Sequence, residues 1–173
     1  MLLFCRQFFS FERLAALGMD VIQKKLSASL EDYLEAIYHI ENRKQAARAK
    51  DIGERLDVKG SSVTGALQAL AKRKLINYAP YDLITLTDTG RALAGEVVKR
   101  HRVLRKFFVD VLDVDPEVAE KAACQMEHSV PRKIFERLIG FVEYLTQDTD
   151  EEKKRLIENF KSQWADKANT HNL

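Results

Sequence analysis

Residues 49–75 read Ala49-Lys50-Asp51-Ile52-Gly53-Glu54-Arg55-Leu56, then Asp57-Val58-Lys59-Gly60, then Ser61-Ser62-Val63-Thr64-Gly65-Ala66-Leu67-Gln68-Ala69-Leu70-Ala71-Lys72-Arg73-Lys74-Leu75. The first run carries apolar residues at helical intervals and ends near a turn marked by Gly60. The last run opens on Ser61-Ser62 and sets Val63, Ala66, Leu67 and Leu70 along one side of a helix that reaches Leu75. Two helices at this spacing form a helix-turn-helix. Downstream, Ile76 to Thr87 alternates around Pro80, as a hairpin or wing does.

Charge is distributed unevenly over this stretch. Between Lys59 and Lys74 the charged residues are Lys59, Lys72, Arg73 and Lys74, with no acid among them. Such a stretch suits a phosphate backbone. At the start of the second helix, Ser61, Ser62, Thr64 and Gly65 offer hydroxyls and bare backbone to base edges and phosphates. A solvated helix end accounts for the same cations, which the helix dipole favours near a C-terminus. The formal net charge of +2 is too small to indicate a nucleic-acid partner by itself, so that reading rests on local distribution.

Upstream, Leu30, Leu34, Ile37 and Tyr38 recur at helical intervals, and Ser27 or Ser29 is the expected N-cap. Asp32 and Glu35 share a face of that helix, either as candidate ligands or as acids favoured by the helix dipole. Beyond the hairpin, a helix is expected from Asp88 towards Leu112, rich in Lys and Arg on an apolar spine, with His101 either a surface histidine or a ligand. Pro116 and Pro131 lie near the starts of two further helices. The first of these carries Cys124-Gln125-Met126-Glu127-His128, in which thiol, carboxylate and imidazole recur at neighbour spacing. That donor set suits Fe(II), Mn(II), Co(II) or Zn(II) better than calcium or magnesium. The alternative is a buried thiol beside two solvated side chains. The second helix, with Ile134, Leu138, Phe141, Val142 and Leu145, carries more apolar surface than a small monomer needs and points to a homodimer. From Asp148 the chain is charged, with Leu156, Ile157, Phe160 and Trp164 at helical spacing.

At 173 residues, 46% hydrophobic and 31% charged, the chain has enough apolar residues for one or two small cores. Seven glycines and three prolines favour a mainly α protein. Cys5 and Cys124 provide no disulfide framework and fit a reducing cytoplasm. The apolar start, Leu2 to Phe11, is interrupted by charge before it spans a bilayer and lacks the order of a signal peptide. It reads either as an amphipathic extension or as a piece upstream of a true start at Met19.

The order of these segments resembles the metal-dependent repressors that include the diphtheria toxin repressor, the iron-dependent regulators and the manganese transport regulator. The resemblance covers about Leu26 to Thr146 and rests on EDYLEAIY, SSVTGALQALAKRKLI, LTDTGRALA, KRHRVLRKFF and CQMEH. It implies an N-terminal winged helix-turn-helix followed by an all-helical dimerisation domain, with metal bound between them by Asp32, Glu35, His101, Cys124, Glu127 and His128. Asp32 and Glu35 look like the manganese branch and Cys124 like the iron branch. Arg105 and Glu120 stand at two positions of the iron branch's ancillary site, which is therefore not expected in its usual form, and no C-terminal SH3-like domain is expected.

The expected organisation is an extension over 1–25, a winged helix-turn-helix over 26–90, a helical metal-binding and dimerisation domain over 91–147, and a charged helix or tail over 148–173. The expected function is a cytoplasmic, homodimeric transcriptional regulator dependent on Fe(II) or Mn(II). It represses metal-uptake genes by binding palindromic double-stranded DNA operators through Lys59, Ser61, Ser62, Thr64, Gly65, Lys72 and Arg73, and has no membrane partner. The alternatives are a winged-helix regulator with a structural metal or none, and a small metalloenzyme, for which no nucleophile or general base beyond the ligands is visible.

Overall fold

A computed structural model describes residues 26–79, 83–146 and 150–170, with the side chains of 165–170 excepted. The N-terminal extension and the Pro80 tip of the hairpin lie outside the described residues. The chain divides into two units between Val97 and Val98.

In the first unit, helix α1 (Ala28–Lys44) starts at Ser27, whose hydroxyl oxygen accepts from the Leu30 N–H at 3.4 Å. It ends where Gln45 turns left-handed at φ 68° and its N–H bonds the Glu41 carbonyl. Helix α2 (Ala49–Leu56) is held at its start by Asp51, which accepts from the Arg48 N–H and pairs with Lys44 at 2.9 Å. Helix α3 (Gly60–Lys72) follows after a tight turn. The left-handed residue of that turn is Asp57, at φ 52° and ψ 49°, and Gly60 is instead the first residue of α3 with open space around it. Aspartate tolerates this region through its short polar side chain, so the turn does not depend on a glycine.

Strands β1 (Ile76–Asn77) and β2 (Thr85–Leu86) pair antiparallel, Ile76 opposite Leu86 and Asn77 opposite Thr85. Ala47, between α1 and α2, extends the wing through two 2.8 Å backbone hydrogen bonds with Ile84. Leu34, Ile37, Ile52, Leu67, Leu70, Leu75 and Ile84 are fully buried in one core. Each such side chain contributes about 1.5–3 kcal/mol by leaving water, which is how three short helices and a two-stranded wing hold one shape. Within this core the Glu41 carboxylate is buried, with one oxygen 2.7 Å from Arg91 Nη2 and the other accepting from the Leu86 N–H.

Helix α4 (Asp88–Lys106) runs through the division between the units and passes into a π-helical turn, Phe107–Val111. The expected helix to Leu112 is thus regular only as far as Lys106. In the second unit, Asp115 caps α5 (Pro116–Met126), accepting from the N–H groups of Glu117 and Val118, with Pro116 in the first turn. Proline is favoured there because that N–H has no helical partner. Helix α6 (Arg132–Thr146) and helix α7 (Glu151–Thr170) follow. Leu104, Phe108, Ala119, Ala123, Phe135 and Ile139 form this unit's core, and Lys161 ties α7 to Asp113 at 3.2 Å. Ile134, Phe141 and Tyr144 of α6 are exposed. Among the described residues, no helix is long and apolar enough to cross a membrane.

Candidate metal centre and nucleic-acid interface

In the second unit, three of the expected ligands converge. His101 on α4 places Nδ1 2.7 Å from Glu127 Oε2 and Nε2 3.0 Å from Glu120 Oε1. His128 Nε2 stands 3.2 Å from the other Glu127 oxygen, Oε1. Glu127 terminates α5 and is fully buried. Its backbone carbonyl accepts from Arg100 Nη1 at 2.9 Å, so α4 fixes both ends of this residue. Cys124, one turn earlier, lies on the exposed side of α5.

The electrostatics of Glu127 follow from that setting. Burial pushes its carboxyl pKa up, but the hydrogen bond with His101 and the charges of His101 and His128 outweigh burial and hold it below the ordinary range. Its Oε1 is nevertheless buried with no hydrogen bond, 3.2 Å from His128 Nε2. An ionised oxygen in this state is costly unless a cation meets it. A buried carboxylate flanked by two imidazoles therefore fits a divalent transition metal by position and by donor type.

In the first unit, Asp32 and Glu35 both lie half-buried on α1. Glu35 Oε1 is 3.4 Å from His39 Nε2, one turn further along. His39 was not among the expected site residues. Its i, i+4 spacing from Glu35 is the signal that could have drawn attention to it.

The proposed DNA-reading residues are all exposed: Lys59, Ser61, Ser62, Thr64, Gly65, Lys72 and Arg73. Two are engaged within the helix. Thr64 Oγ1 donates to the Gly60 carbonyl at 3.0 Å, and Arg73 Nη1 donates to the Ala69 carbonyl at 2.9 Å. Arg73 thus serves the helix C-terminus in the described state. A β-carbon on Gly65 would meet nothing within 4 Å, so no contact among the described residues requires a glycine there. Gln68, one turn beyond Thr64 on the same exposed face, is a further polar group that the sequence reading passed over.

The fold and this donor set define a DNA-binding regulator coupled to a metal-binding helical domain. Residues 25–83 match the iron-dependent repressor N-terminal DNA-binding domain. Residues 87–160 match the iron-dependent repressor metal-binding and dimerisation domain. An HTH-type transcriptional regulator of Methanocaldococcus jannaschii is 35% identical over 119 residues, covering 68% of this chain and 95% of that protein. The HTH-type transcriptional regulator MntR of Bacillus subtilis is 35% identical over 128 residues, covering 74% of this chain and 89% of MntR. The solved structure of the manganese regulator SloR superposes with a TM-score of 0.60 at 28% identity, covering 66% of this chain; the chain spans 54% of SloR. The chain therefore belongs to the diphtheria toxin repressor and manganese transport regulator family of metal-dependent transcriptional regulators. It is a regulator and not an enzyme, with a DNA-binding module and a metal-binding, dimerising one.

Proposed function

We propose that the chain is a cytoplasmic repressor of metal-uptake genes that binds palindromic operators as a homodimer when Fe(II) or Mn(II) is held by Asp32, Glu35, His101, Cys124, Glu127 and His128. The observation that supports this most directly is the fully buried Glu127 carboxylate, one oxygen without a hydrogen bond, standing against two imidazoles. A bound ion would supply the positive charge that the buried, ionised Glu127 carboxylate requires. Ligands contributed by α1 and by the cluster around Glu127 restrain the DNA-binding unit in the loaded protein. The recognition helices of a dimer then take one spacing, matched to half-sites roughly 34–36 Å apart. A differential affinity of about 1–3 kcal/mol is enough to change operator occupancy severalfold or more.

Metal preference follows from donor softness. Asp32 and Glu35 are hard oxygen donors that Mn(II) accepts, and SloR is described as a manganese regulator. The Cys124 thiolate favours Fe(II) and cannot bridge two hard ions as a glutamate does. Fe(II) is therefore the stronger activator and Mn(II) the weaker. The test is an anaerobic titration of each metal against an operator selected from a random duplex pool, using the parent, Cys124→Ala, Cys124→Glu and Glu127→Gln. The expected result is metal-dependent DNA retention lost in Glu127→Gln, weakened for both metals in Cys124→Ala, and improved for Mn(II) in Cys124→Glu. Metal-independent binding by the parent would overturn the reading in favour of a winged-helix regulator with a structural metal or none.

A further inference from the structure

The Glu120 side chain on α5 touches both a proposed ligand and a cation. Its Oε1 is 3.0 Å from His101 Nε2, and its Oε2 is 2.9 Å from Arg105 Nε. Arg105 stands one turn beyond His101 on α4, so the carboxylate is gripped by two groups of one helix while it projects from another. Glu120 and Arg105 are 56% and 45% exposed, and an ion pair in that setting contributes little to stability. Stability therefore does not explain the arrangement. What it does is geometric. With each carboxylate oxygen on a different donor, the side chain cannot rotate without breaking one contact.

The consequence falls on His101. Its two ring nitrogens face two carboxylates, Nε2 towards Glu120 and Nδ1 towards the buried Glu127 at 2.7 Å. A ligating histidine commonly donates its other ring N–H to a carboxylate, which sets both tautomer and ring orientation. We propose that Glu120, clamped by Arg105, is a positioning residue that takes the Nε2–H of His101 and so presents the Nδ1 lone pair, beside Glu127, to the metal. This rests on the proposed ligand set and adds to it two residues outside that set. Arg105 is part of the device because it has no acceptor atom. It holds Glu120 only through an oxygen, and so decides which end of a side chain at position 120 can face the histidine.

That last point gives the test its sign. In Glu120→Gln the amide must turn its oxygen to Arg105 and its NH2 to His101, which selects the opposite tautomer. Removing Arg105 from that variant frees the amide to flip and accept from Nε2–H. Co(II) affinity of the metal-free full chain, read from the visible Co(II) bands against a competing chelator, should fall roughly 10- to 100-fold in Glu120→Gln. It should recover substantially in the Glu120→Gln/Arg105→Ala double variant. Circular dichroism should show all variants folded, and two-bond proton–nitrogen ring correlations should report the His101 tautomer among only four histidines. Glu127→Gln is the control for the ligand set. If Glu127→Gln loses Co(II) while Glu120→Gln binds like the parent, the positioning role is wrong and the ligand set stands. If Glu127→Gln binds like the parent, the ligand set fails and takes this inference with it. If Glu120→Ala lowers the number of Co(II) ions bound, Glu120 is itself a ligand and the positioning role is overturned.

Discussion

Gly90 packs directly against the carbonyl of Leu75: a β-carbon on Gly90 would overlap the oxygen and stand 2.8 Å from the carbonyl carbon. The same carbonyl accepts from the Thr87 N–H at 3.1 Å, and the Thr87 hydroxyl accepts from the Gly90 N–H at 3.1 Å and donates to the Lys74 carbonyl at 2.9 Å. The start of α4 is thereby locked to the segment that follows α3 through backbone, which cannot move aside as a flexible side chain can. Gly90→Ala should destabilise the first unit by about 2–3 kcal/mol, at the upper end of overpacking costs. Gly95→Ala, five residues on where nothing lies within 4 Å, should instead be neutral or stabilising by up to about 1 kcal/mol. Urea denaturation of the two variants checks the contrast, and equal effects would contradict it.

The depressed pKa of Glu127 makes an acid-stability prediction for the metal-free protein. Its folded-state value lies below the ordinary 4.5, so the ionised group contributes stability that is fully present above 4.5 and is lost as pH falls through the lower, folded value. Between pH 7 and 5 this residue should contribute no slope. Below 4.5 the parent should lose stability more steeply than Glu127→Gln, whose amide does not titrate. Denaturation midpoints measured from pH 3 to 7 would show the two curves converging in acid, and parallel curves would refute the assignment.

Operator binding should be abolished by Ser62→Glu. The residue is exposed in the first turn of α3, where an anion would meet phosphate, and it contributes nothing to the buried side Val63, Ala66, Leu67 and Leu70. Metal binding and dimerisation should be unchanged. A gel-shift series in which Ser62→Glu keeps parental affinity would remove α3 from the interface.

Dimerisation should respond to α6. Ile134 is 59% exposed on a helix that also exposes Phe141 and Tyr144, and the matched domain is a dimerising one. Ile134→Glu places a charge on that face without touching the core residues Phe135 and Ile139. Light scattering at micromolar concentration should find the parent dimeric with or without metal and the variant shifted to monomer.

Much of this was legible along the chain because it is governed by local periodicity. The side Val63, Ala66, Leu67 and Leu70 is buried as its spacing requires, Ser27 caps α1, and Pro116 opens α5. The candidate ligands could be named because donor chemistry belongs to residue type. The turn between α2 and α3 falls within the expected Asp57 to Gly60, but its left-handed residue is Asp57 and not the glycine, because the Gly53 to Val58 closure imposes that conformation. That the Arg73 guanidinium donates to the Ala69 carbonyl was not legible, because its basic side chain has the same residue type whether it serves the helix end or a phosphate.

The sequence by itself determined the helix-turn-helix, the wing, the helical second unit and the kinds of atom available to a metal, since each depends on residues within a few positions of one another. Tertiary structure alone decided which groups meet. Glu41 finds Arg91 fifty positions away, and Gly90 finds the Leu75 carbonyl. His101 is held between Glu120 and Glu127, nineteen and twenty-six positions distant. These pairings depend on how helices pack, and packing is set by the summed burial of cores such as Leu104, Phe108, Ala119 and Phe135. No local pattern encodes that sum, so the charge state of Glu127 and the orientation of His101 emerge only once the core has closed.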